Sequence, residues 1–551
     1  MSGHKGRYHK FSVASVRRRA LRGRACDAEW PAFVAIATVF VAGLVWVKPL
    51  TDVPVIDDWV YAWSVEHLLK TRELRVLEFS SVYPLAQILW GALFARIAGF
   101  SFGVLRLSTV VLAVLGCWAL YLTLRELTFS RTASLLGALA LALDPVYFAL
   151  SFSFMTDVPF VALSTISIFY YVSALGRHQP ARAWVGSLFA VSAFLIRPIG
   201  IAIPLAVVPA LRRRSDGRLW IAPLSIAMLT MAVSWIAMSH TMGPLDAGTG
   251  RVEQFRWWFT IPASKYAAWN AALTFEAVFP LAPLLLASMS GVRIAAAATM
   301  TALLLVPILH FTLGAIPSPL PDWQTWSLQD IGARSMIGGA LTPSAWSTRL
   351  APTLRVLGVV VVGAMVVACV RLRRRFSNGG VRVLVSLGFL NLALINLLWI
   401  YNDRYYLVLA PALAWLALGP AGPTRRGQWV AVALLSVWAV IALSGTRDLL
   451  AFNDAAATAA RQLEAAGVPS WEIDAGYAVN GWRLYAHPEN LQPGADRRYD
   501  VPYVTSGRVP MFRVTNVPLP GYDVIRVVAL DHAWWQVTDR LYVLRSQPHG
   551  T

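Results

Sequence analysis

Residues 30–61 read WPAFVAIATVFVAGLVWVKPLTDVPVIDDWVY. The apolar run Trp30–Val47 has the length that crosses the hydrocarbon core of a bilayer, about 17 to 25 residues. Similar runs recur as far as about residue 445, and 57% of the 551 residues are hydrophobic against 14% charged. The chain is far more apolar than a soluble domain of this length would be, and the excess apolar surface must face lipid. The composition therefore predicts a polytopic α-helical membrane protein.

The net charge of +19 comes from arginines that are clustered between the apolar runs. This distribution follows the positive-inside rule, and we therefore predict no nucleic-acid partner. If the run 82–100 lies on the outer interface and does not cross, every arginine cluster falls on the cytoplasmic side. About thirteen crossings then remain, with the N-terminus in the cytoplasm and the C-terminus outside the plasma membrane.

Changes in composition along the chain predict three parts. From about residue 446 acidic residues, proline and glycine return, with a helix expected at 454–466 and strands expected in the alternating runs 524–529 and 541–544. The parts are a basic cytoplasmic arm (1–30), a transmembrane domain (31–445, with a first outer loop at 51–102) and a small extracytoplasmic α/β domain (446–551).

Asp57 and Asp58 form an acidic pair directly after the first crossing, at the start of an amphipathic stretch. Capping of a helix is one interpretation, because Asp is favoured at that position. Two adjacent carboxylates exceed what capping needs, and repulsion between them raises the pKa of one carboxyl toward the range of a general base. We therefore expect the pair to be catalytic.

Asp157 and Arg197 are the next candidates. Asp157 precedes Val158-Pro159, so it fits a helix N-cap, but the predicted topology also places it on the same outer face as Asp57. Arg197-Pro198 interrupts the apolar stretch 181–211, whose two halves are short for a bilayer, so Arg197 should lie sunken in a cavity. A sunken arginine needs an anion: a lipid-borne phosphate, or alternatively Asp157 or a phospholipid head group.

Two further arginines are candidates for the same phosphate. Arg404 opens an apolar run from the outer side, and Arg256 lies in an outer loop beside two tryptophans, where anchoring at the membrane interface is the competing interpretation for both. His310 has no second His or Cys at ligand spacing, so no dedicated metal site is indicated and the need for a divalent metal stays open. No other cofactor is predicted.

The order of these motifs resembles the GT-C membrane glycosyltransferases, in the branch of the aminoarabinose lipid A transferases and the protein O-mannosyltransferases. The resemblance covers about residues 30–445. It implies the GT-C fold and an inverting transfer of a sugar from a polyprenyl-phosphate donor. The resemblance carries Asp57 onto the first catalytic acid, Asp58 onto its acidic neighbour and Asp157 onto the second acid.

The expected function is thus sugar transfer to a glycolipid, polysaccharide or protein of the cell envelope, on the outer face of a bacterial plasma membrane. Two other classes stay open. A transporter or flippase of lipid or saccharide also has many crossings and buried charges, although inverted repeats and paired broken helices are not evident in the sequence. A noncatalytic assembly protein would use its outer domain to bind cell-wall polymers.

Overall fold

The structure is a computed structural model that describes most of the chain. It describes residues 29–243, 245, 270–307, 345–419, 422–530 and 540–547, apart from 213, 271–272, 290, 292–293, 295, 297–298, 302, 304–305, 373–377, 398–402, 503 and 506–508. These residues are mainly helical, with one small sheet close to the C-terminus.

The longer helices of the described part are numbered here in chain order. They are α1 (Trp30–Val47), α2 (Asp58–Thr71), α3 (Leu85–Ala98), α4 (Phe102–Glu126), α5 (Arg131–Ala142), α6 (Pro145–Ser151), α7 (Asp157–Arg177), α8 (Arg182–Phe194), α9 (Ala202–Leu211), α10 (Ile221–Thr241), α11 (Ala282–Ser288), α12 (Ala345–Leu372), α13 (Gly379–Asn396), α14 (Ala410–Leu418) and α15 (Arg425–Ala465). Short 3-10 helices precede several of them, at Pro198–Ile201, Gly217–Trp220, Phe279–Leu281 and Asp403–Leu409.

Six helices of the described part are long and apolar enough to cross a membrane: Trp30–Val47, Phe102–Glu126, Asp157–Arg177, Gly217–Thr241, Gly379–Asn396 and Arg425–Ala465. Large apolar side chains on them face outward, such as Val45 at 73% and Trp429 at 70% exposure, as lipid contact requires. The predicted fold class, a polytopic helical membrane protein with a small C-terminal domain, is confirmed. The number of thirteen crossings and their orientation remain predictions.

Local sequence explains how several helices begin and end. Side-chain oxygens accept backbone N–H groups at the starts of α4, α5, α6, α13 and α15. Helices α5 and α6 form a bent pair at 67°, because Asp144 caps the second helix and Pro145 cannot continue the first. Taken together, the two helices are long and apolar enough to form a seventh candidate span.

The predicted first outer loop contains α2 and α3. Helix α3 has 14 residues, which span about 21 Å at 1.5 Å per residue and fall short of a hydrocarbon core of about 30 Å. Hydrogen bonds attach α3 to two other segments: Gln87 Nε2 donates to the Phe154 carbonyl at 2.8 Å, and the Ala86 N–H donates to the Leu195 carbonyl at 3.1 Å. Helix α3 therefore braces the segments that carry Asp157 and Arg197.

The C-terminal domain contains a four-stranded sheet: β1 (Ile473–Asp474), β2 (Phe512–Thr515), β3 (Tyr522–Ala529) and β4 (Arg540–Ser546). The strand order is β1-β2-β4-β3, with β1 parallel to β2 and the other pairs antiparallel. Strands β3 and β4 contain the two alternating runs predicted from the sequence. One face of the sheet packs on the end of α15 through a small apolar core: Ala456, Ala460, Leu463, Ile473, Val514, Leu541 and Val543.

The helix predicted at 454–466 is present, but it is the end of a longer helix and not a separate element. Helix α15 runs without interruption from Arg425 to Ala465, 41 residues, and passes from the apolar segment into the C-terminal domain. Its polar second half lacks proline, and no glycine follows Gly445, so nothing in the sequence stops the helix. Arg447 on this helix donates to the Val47 carbonyl at 3.1 Å, joining it to the end of α1.

Candidate active site

Asp57 lies at the N-cap position of α2, yet its side chain forms no capping hydrogen bond. Its Oδ2 instead lies 3.2 Å from Nη2 of Arg404. The residue before it, Ile56, has a φ of +52°, which is strained for a β-branched side chain. Such strain is typical of functional positions, so the geometry favours a role for the Asp57 carboxylate beyond capping.

Asp58 points into the protein and is fully buried. Its carboxylate accepts the Val55 N–H at 2.7 Å and lies 3.6 Å from Nη2 of Arg106. Arg106 in turn donates to carbonyls of the segment before α2, including that of Pro49 at 2.9 Å. Burial raises the pKa of Asp58 to about 7 against the lowering effect of Arg106, and the charge of Asp57 adds to the rise. Asp58 and Arg106 thus hold the backbone that presents Asp57.

Asp157 is the first residue of α7, and its side chain is completely buried. Its Oδ1 lies 2.8 Å from Nη2 of Arg197, and its Oδ2 lies 4.0 Å from Nε of Arg404. Arg197 also donates its Nε to the Thr156 hydroxyl at 2.8 Å. The partner of Arg197 in this structure is therefore Asp157, which is one of the alternatives that the sequence left open.

The structure has a break between helices α8 and α9 at the predicted position, Arg197-Pro198. Helix α8 ends at Phe194, and Arg197 has extended backbone (φ −141°, ψ 129°), which the following Pro198 favours. The guanidinium lies 5.3 Å from the ring centre of Tyr405 and is 15% exposed. The Arg197 side chain is therefore mostly buried but still reachable by a ligand.

Asp57, Asp157, Arg197 and Arg404 form one cluster, called here the carboxylate–arginine cluster. Arg404 links the two carboxylates, since it contacts Asp57 and Asp157 with different nitrogens. The Asp57 side chain is 22% exposed, whereas the Asp157 side chain is fully buried. Of the three predicted acids, Asp57 is therefore the one that a bound molecule can reach, and Asp157 orients the two arginines.

Two tyrosines complete the surroundings of Asp57, and sequence reasoning missed both. Tyr61 lies one turn later on α2, and burial together with the charge of Asp57 raises its pKa, against the effect of Arg197 and Arg404. Tyr477, from the C-terminal domain, forms a side-chain hydrogen bond with Asp57. The spacing from Asp57 to Tyr61 on one helical face could have identified Tyr61, but no local signal points to Tyr477.

The remaining candidates are not part of the cluster. Arg256 lies outside the described residues. Asp58 is adjacent in sequence, but its carboxylate is directed to Arg106 and Val55. Within the described ranges, no three His, Cys, Asp or Glu side chains lie close enough to share a metal ion.

Comparison with known proteins gives one family match. A family model described as dolichyl-phosphate-mannose-protein mannosyltransferase matches residues 84–242, a segment that contains Asp157 and Arg197. The predicted resemblance to the GT-C membrane glycosyltransferases is confirmed. No curated protein sequence matches the chain.

Several solved structures of low sequence identity align with the chain. The structure of ArnT from Cupriavidus metallidurans bound to undecaprenyl phosphate aligns at a TM-score of 0.45 and 14% identity, over 93% of this chain and 97% of that one. The archaeal oligosaccharyltransferase AglB from Archaeoglobus fulgidus, in complex with an inhibitory peptide and a dolichol-phosphate, aligns at 0.40 and 14%, over 77% of this chain. This chain spans 55% of the length of that archaeal protein.

Proposed function

We propose that this protein is an inverting glycosyltransferase that moves a sugar from a polyprenyl-phosphate donor to a hydroxyl group of a cell-envelope acceptor. The acceptor is a glycolipid, a polysaccharide or a protein, and the reaction takes place at the outer face of a bacterial plasma membrane. The observation that carries the proposal is the carboxylate–arginine cluster, where the reachable Asp57 is paired with Arg404 and the buried Asp157 joins Arg404 to Arg197. The description of the matching family, which names a dolichyl-phosphate sugar, supports the donor class.

In the proposed reaction Asp57 is the general base. It takes the proton from the acceptor hydroxyl while that oxygen forms a bond to the anomeric carbon of the sugar. The bond between this carbon and the phosphate oxygen breaks at the same time, and the lipid phosphate leaves on the opposite face. A single displacement inverts the configuration of the sugar.

Arg197 and Arg404 stabilise the leaving phosphate in the proposed reaction, and the balance of charge shows why. The phosphate gains one negative charge as the sugar leaves, and Asp57 loses one as it takes the proton, so the net charge of the site does not change. Once Asp57 is neutral, Arg404 can turn from it to the leaving phosphate while Asp157 still holds the guanidinium, and Arg197, which is also paired with Asp157, adds its positive charge. Guanidinium groups suit this task because they bind phosphate with two parallel hydrogen bonds.

Asp157 has a different role in this proposal. Its carboxylate is completely buried and contacts both arginines, at 2.8 Å and 4.0 Å. A buried acceptor of this kind fixes the orientation of the guanidinium groups before the donor arrives, which lowers the reorganisation that the reaction requires. Asp58 does not contact the two arginines of the cluster in this proposal. It pairs with Arg106 and so fixes the loop that precedes Asp57.

Proteoliposomes that contain the purified protein and a polyprenyl-phosphate donor with a radiolabelled sugar test the proposal. A membrane extract supplies the envelope acceptors. Covalent transfer of label from the lipid to an acceptor, with inverted anomeric configuration, is the expected result. Labelled lipid that crosses the bilayer without losing its sugar would instead support a flippase. Labelled lipid that neither loses its sugar nor crosses the bilayer would support a noncatalytic assembly protein.

A further inference from the structure

The C-terminal domain packs on the outer loop at an aromatic cluster. Trp59, next to the acidic pair on α2, is fully buried, and its ring centre lies 6.0 Å from that of Tyr477 and 5.7 Å from that of Tyr485. Gly481 lies against the same indole, so closely that no side chain fits between them. The domain is therefore in direct contact with the helix that begins at Asp57.

The segment that carries Tyr477 is held rigidly within the C-terminal domain. Asp474 Oδ1 accepts the Gly476 N–H at 3.1 Å and Asn480 Nδ2 at 2.8 Å. Asn480 also accepts the Ala475 N–H at 3.0 Å and donates to the Pro502 carbonyl at 3.0 Å. Both side chains are buried, so these bonds fix the turn 474–480. We call this set of bonds the Asp474–Asn480 clasp.

The Tyr477 hydroxyl is the part of this turn that reaches the carboxylate–arginine cluster. It hydrogen-bonds to Asp57, with Tyr61 and Arg404 nearby. Burial and then the negative charge of Asp57 raise the pKa of Tyr477, so the phenol stays protonated and its O–H donates a hydrogen bond to the carboxylate. Gly476, with a φ of +87°, allows the sharp turn of the backbone directly before Tyr477.

We propose that Tyr477 is a positioning residue for Asp57, supplied to the active site by the C-terminal domain and fixed there by the Asp474–Asn480 clasp. The inference rests on the proposed function, because it assigns Tyr477 a task only if Asp57 is the base. Asp57 has contacts with Arg404 and with Tyr477 in this structure. When Arg404 turns to the leaving phosphate, Tyr477 is the partner that keeps the carboxylate oriented toward the acceptor.

The same contact also bears on the charge of Asp57. A hydrogen bond donated to a carboxylate favours its charged form, which is the form that a base needs. Among the described residues, the charged and titratable groups that face Asp57, directly or from behind Arg404, are Asp58, Tyr61, Asp157, Arg197, Arg404, Tyr405 and Tyr477. Removing the Tyr477 hydroxyl leaves the other six in place.

The test is Tyr477→Phe, which removes the hydroxyl and keeps the ring. The kcat for sugar transfer should fall roughly tenfold to a hundredfold, the range for a hydrogen bond to a charged group, while the KM for the donor changes by less than about twofold. The acidic limb of the kcat–pH profile should move to higher pH. Tyr485→Phe is the matched control, because it removes a hydroxyl from the same aromatic cluster and should change neither quantity.

Asp57→Asn in the same assay separates the two proposals. If Asp57→Asn abolishes transfer but Tyr477→Phe keeps the wild-type kcat and pH profile, the positioning role is wrong and the proposed function stands. If Asp57→Asn transfers normally, the proposed function fails first. A fall in kcat for Tyr477→Phe without movement of the acidic limb, or an equal fall for Tyr485→Phe, would reduce Tyr477 to a packing residue and overturn the inference.

Discussion

Replacement of Gly481 by alanine should push the C-terminal domain away from the outer loop. An ideal Cβ at this position would lie 2.3 Å from Cε2 of Trp59 and 2.6 Å from Cζ2, whereas ordinary contacts are 3.4–4 Å. The backbone of Gly481 is helical (φ −57°, ψ −46°), so alanine meets no conformational penalty and the effect is steric. Trp59 cannot rotate away freely, because it is buried among other aromatic rings.

The added methyl group and the Trp59 ring must move apart by about 1 Å. Overpacking of a core by one methyl group typically costs about 1–3 kcal/mol of stability. Thermal unfolding of the detergent-purified protein should show a loss of roughly 1–3 °C, because the unfolding entropy of a chain of this length is about 1 kcal/mol/K. Gly291→Ala is the control, since Gly291 is helical and has no atom within 4 Å of an added Cβ. Its melting temperature should not fall, because alanine is the better helix former.

Trp59→Phe gives the double-mutant test of the same contact. Phenylalanine lacks the part of the indole that Gly481 touches, so Gly481→Ala should cost much less in the Trp59→Phe background than in the wild type. An equal cost in both backgrounds, or a wild-type melting temperature for Gly481→Ala alone, would refute this account of how the two domains pack.

Three further predictions concern the site and the topology. Arg197→Ala should lower kcat/KM for the donor by roughly tenfold to a hundredfold, with partial rescue by Arg197→Lys, because a point charge cannot form the two-pronged contact with phosphate; unchanged donor kinetics of the stable variant would exclude the phosphate role. Arg106→Leu should destabilise the protein by about 3–5 kcal/mol in chemical or thermal unfolding, since it leaves the buried Asp58 without its counter-charge; a wild-type midpoint would contradict the tie between Asp58 and Arg106. Single cysteines at Ser130 and Ser215 should resist an impermeant thiol reagent on spheroplasts, whereas cysteines at Glu73 and Gln492 should react; labelling of Ser215 from outside would mean that 82–100 crosses.

The grouping of Asp57, Asp157 and the arginines could be predicted from the composition of the loops between the apolar runs. The arginine clusters predict which loops share a side of the membrane, and that prediction placed Asp57 and Asp157 on one face. The break at Arg197-Pro198 was predicted because these residues divide the apolar stretch 181–211 into two short halves, and in the structure the proline favours the extended backbone of Arg197. In the structure these residues lie within hydrogen-bonding or ion-pair distance through Arg404.

Other features depend on contacts that no local pattern specifies. Tyr477 reaches Asp57 only because a domain far along the chain folds back on the outer loop. The different surroundings of Asp57 and Asp58 follow from helix geometry, since adjacent residues point about 100° apart, but which one faces the site depends on where Arg106 lies. The continuous α15 could have been predicted, because its polar half contains no helix breaker.

Sugar transfer by Asp57→Asn, compared with the wild type in the same proteoliposomes and with the same labelled polyprenyl-phosphate donor, tests the central claim most directly. Asparagine keeps the size of the side chain and can still accept the hydrogen bonds of Arg404 and Tyr477, but it cannot take a proton. The account predicts a fall in kcat of roughly 10²–10⁴, with normal expression and an unchanged melting temperature. Transfer at the wild-type rate by this variant would contradict the account.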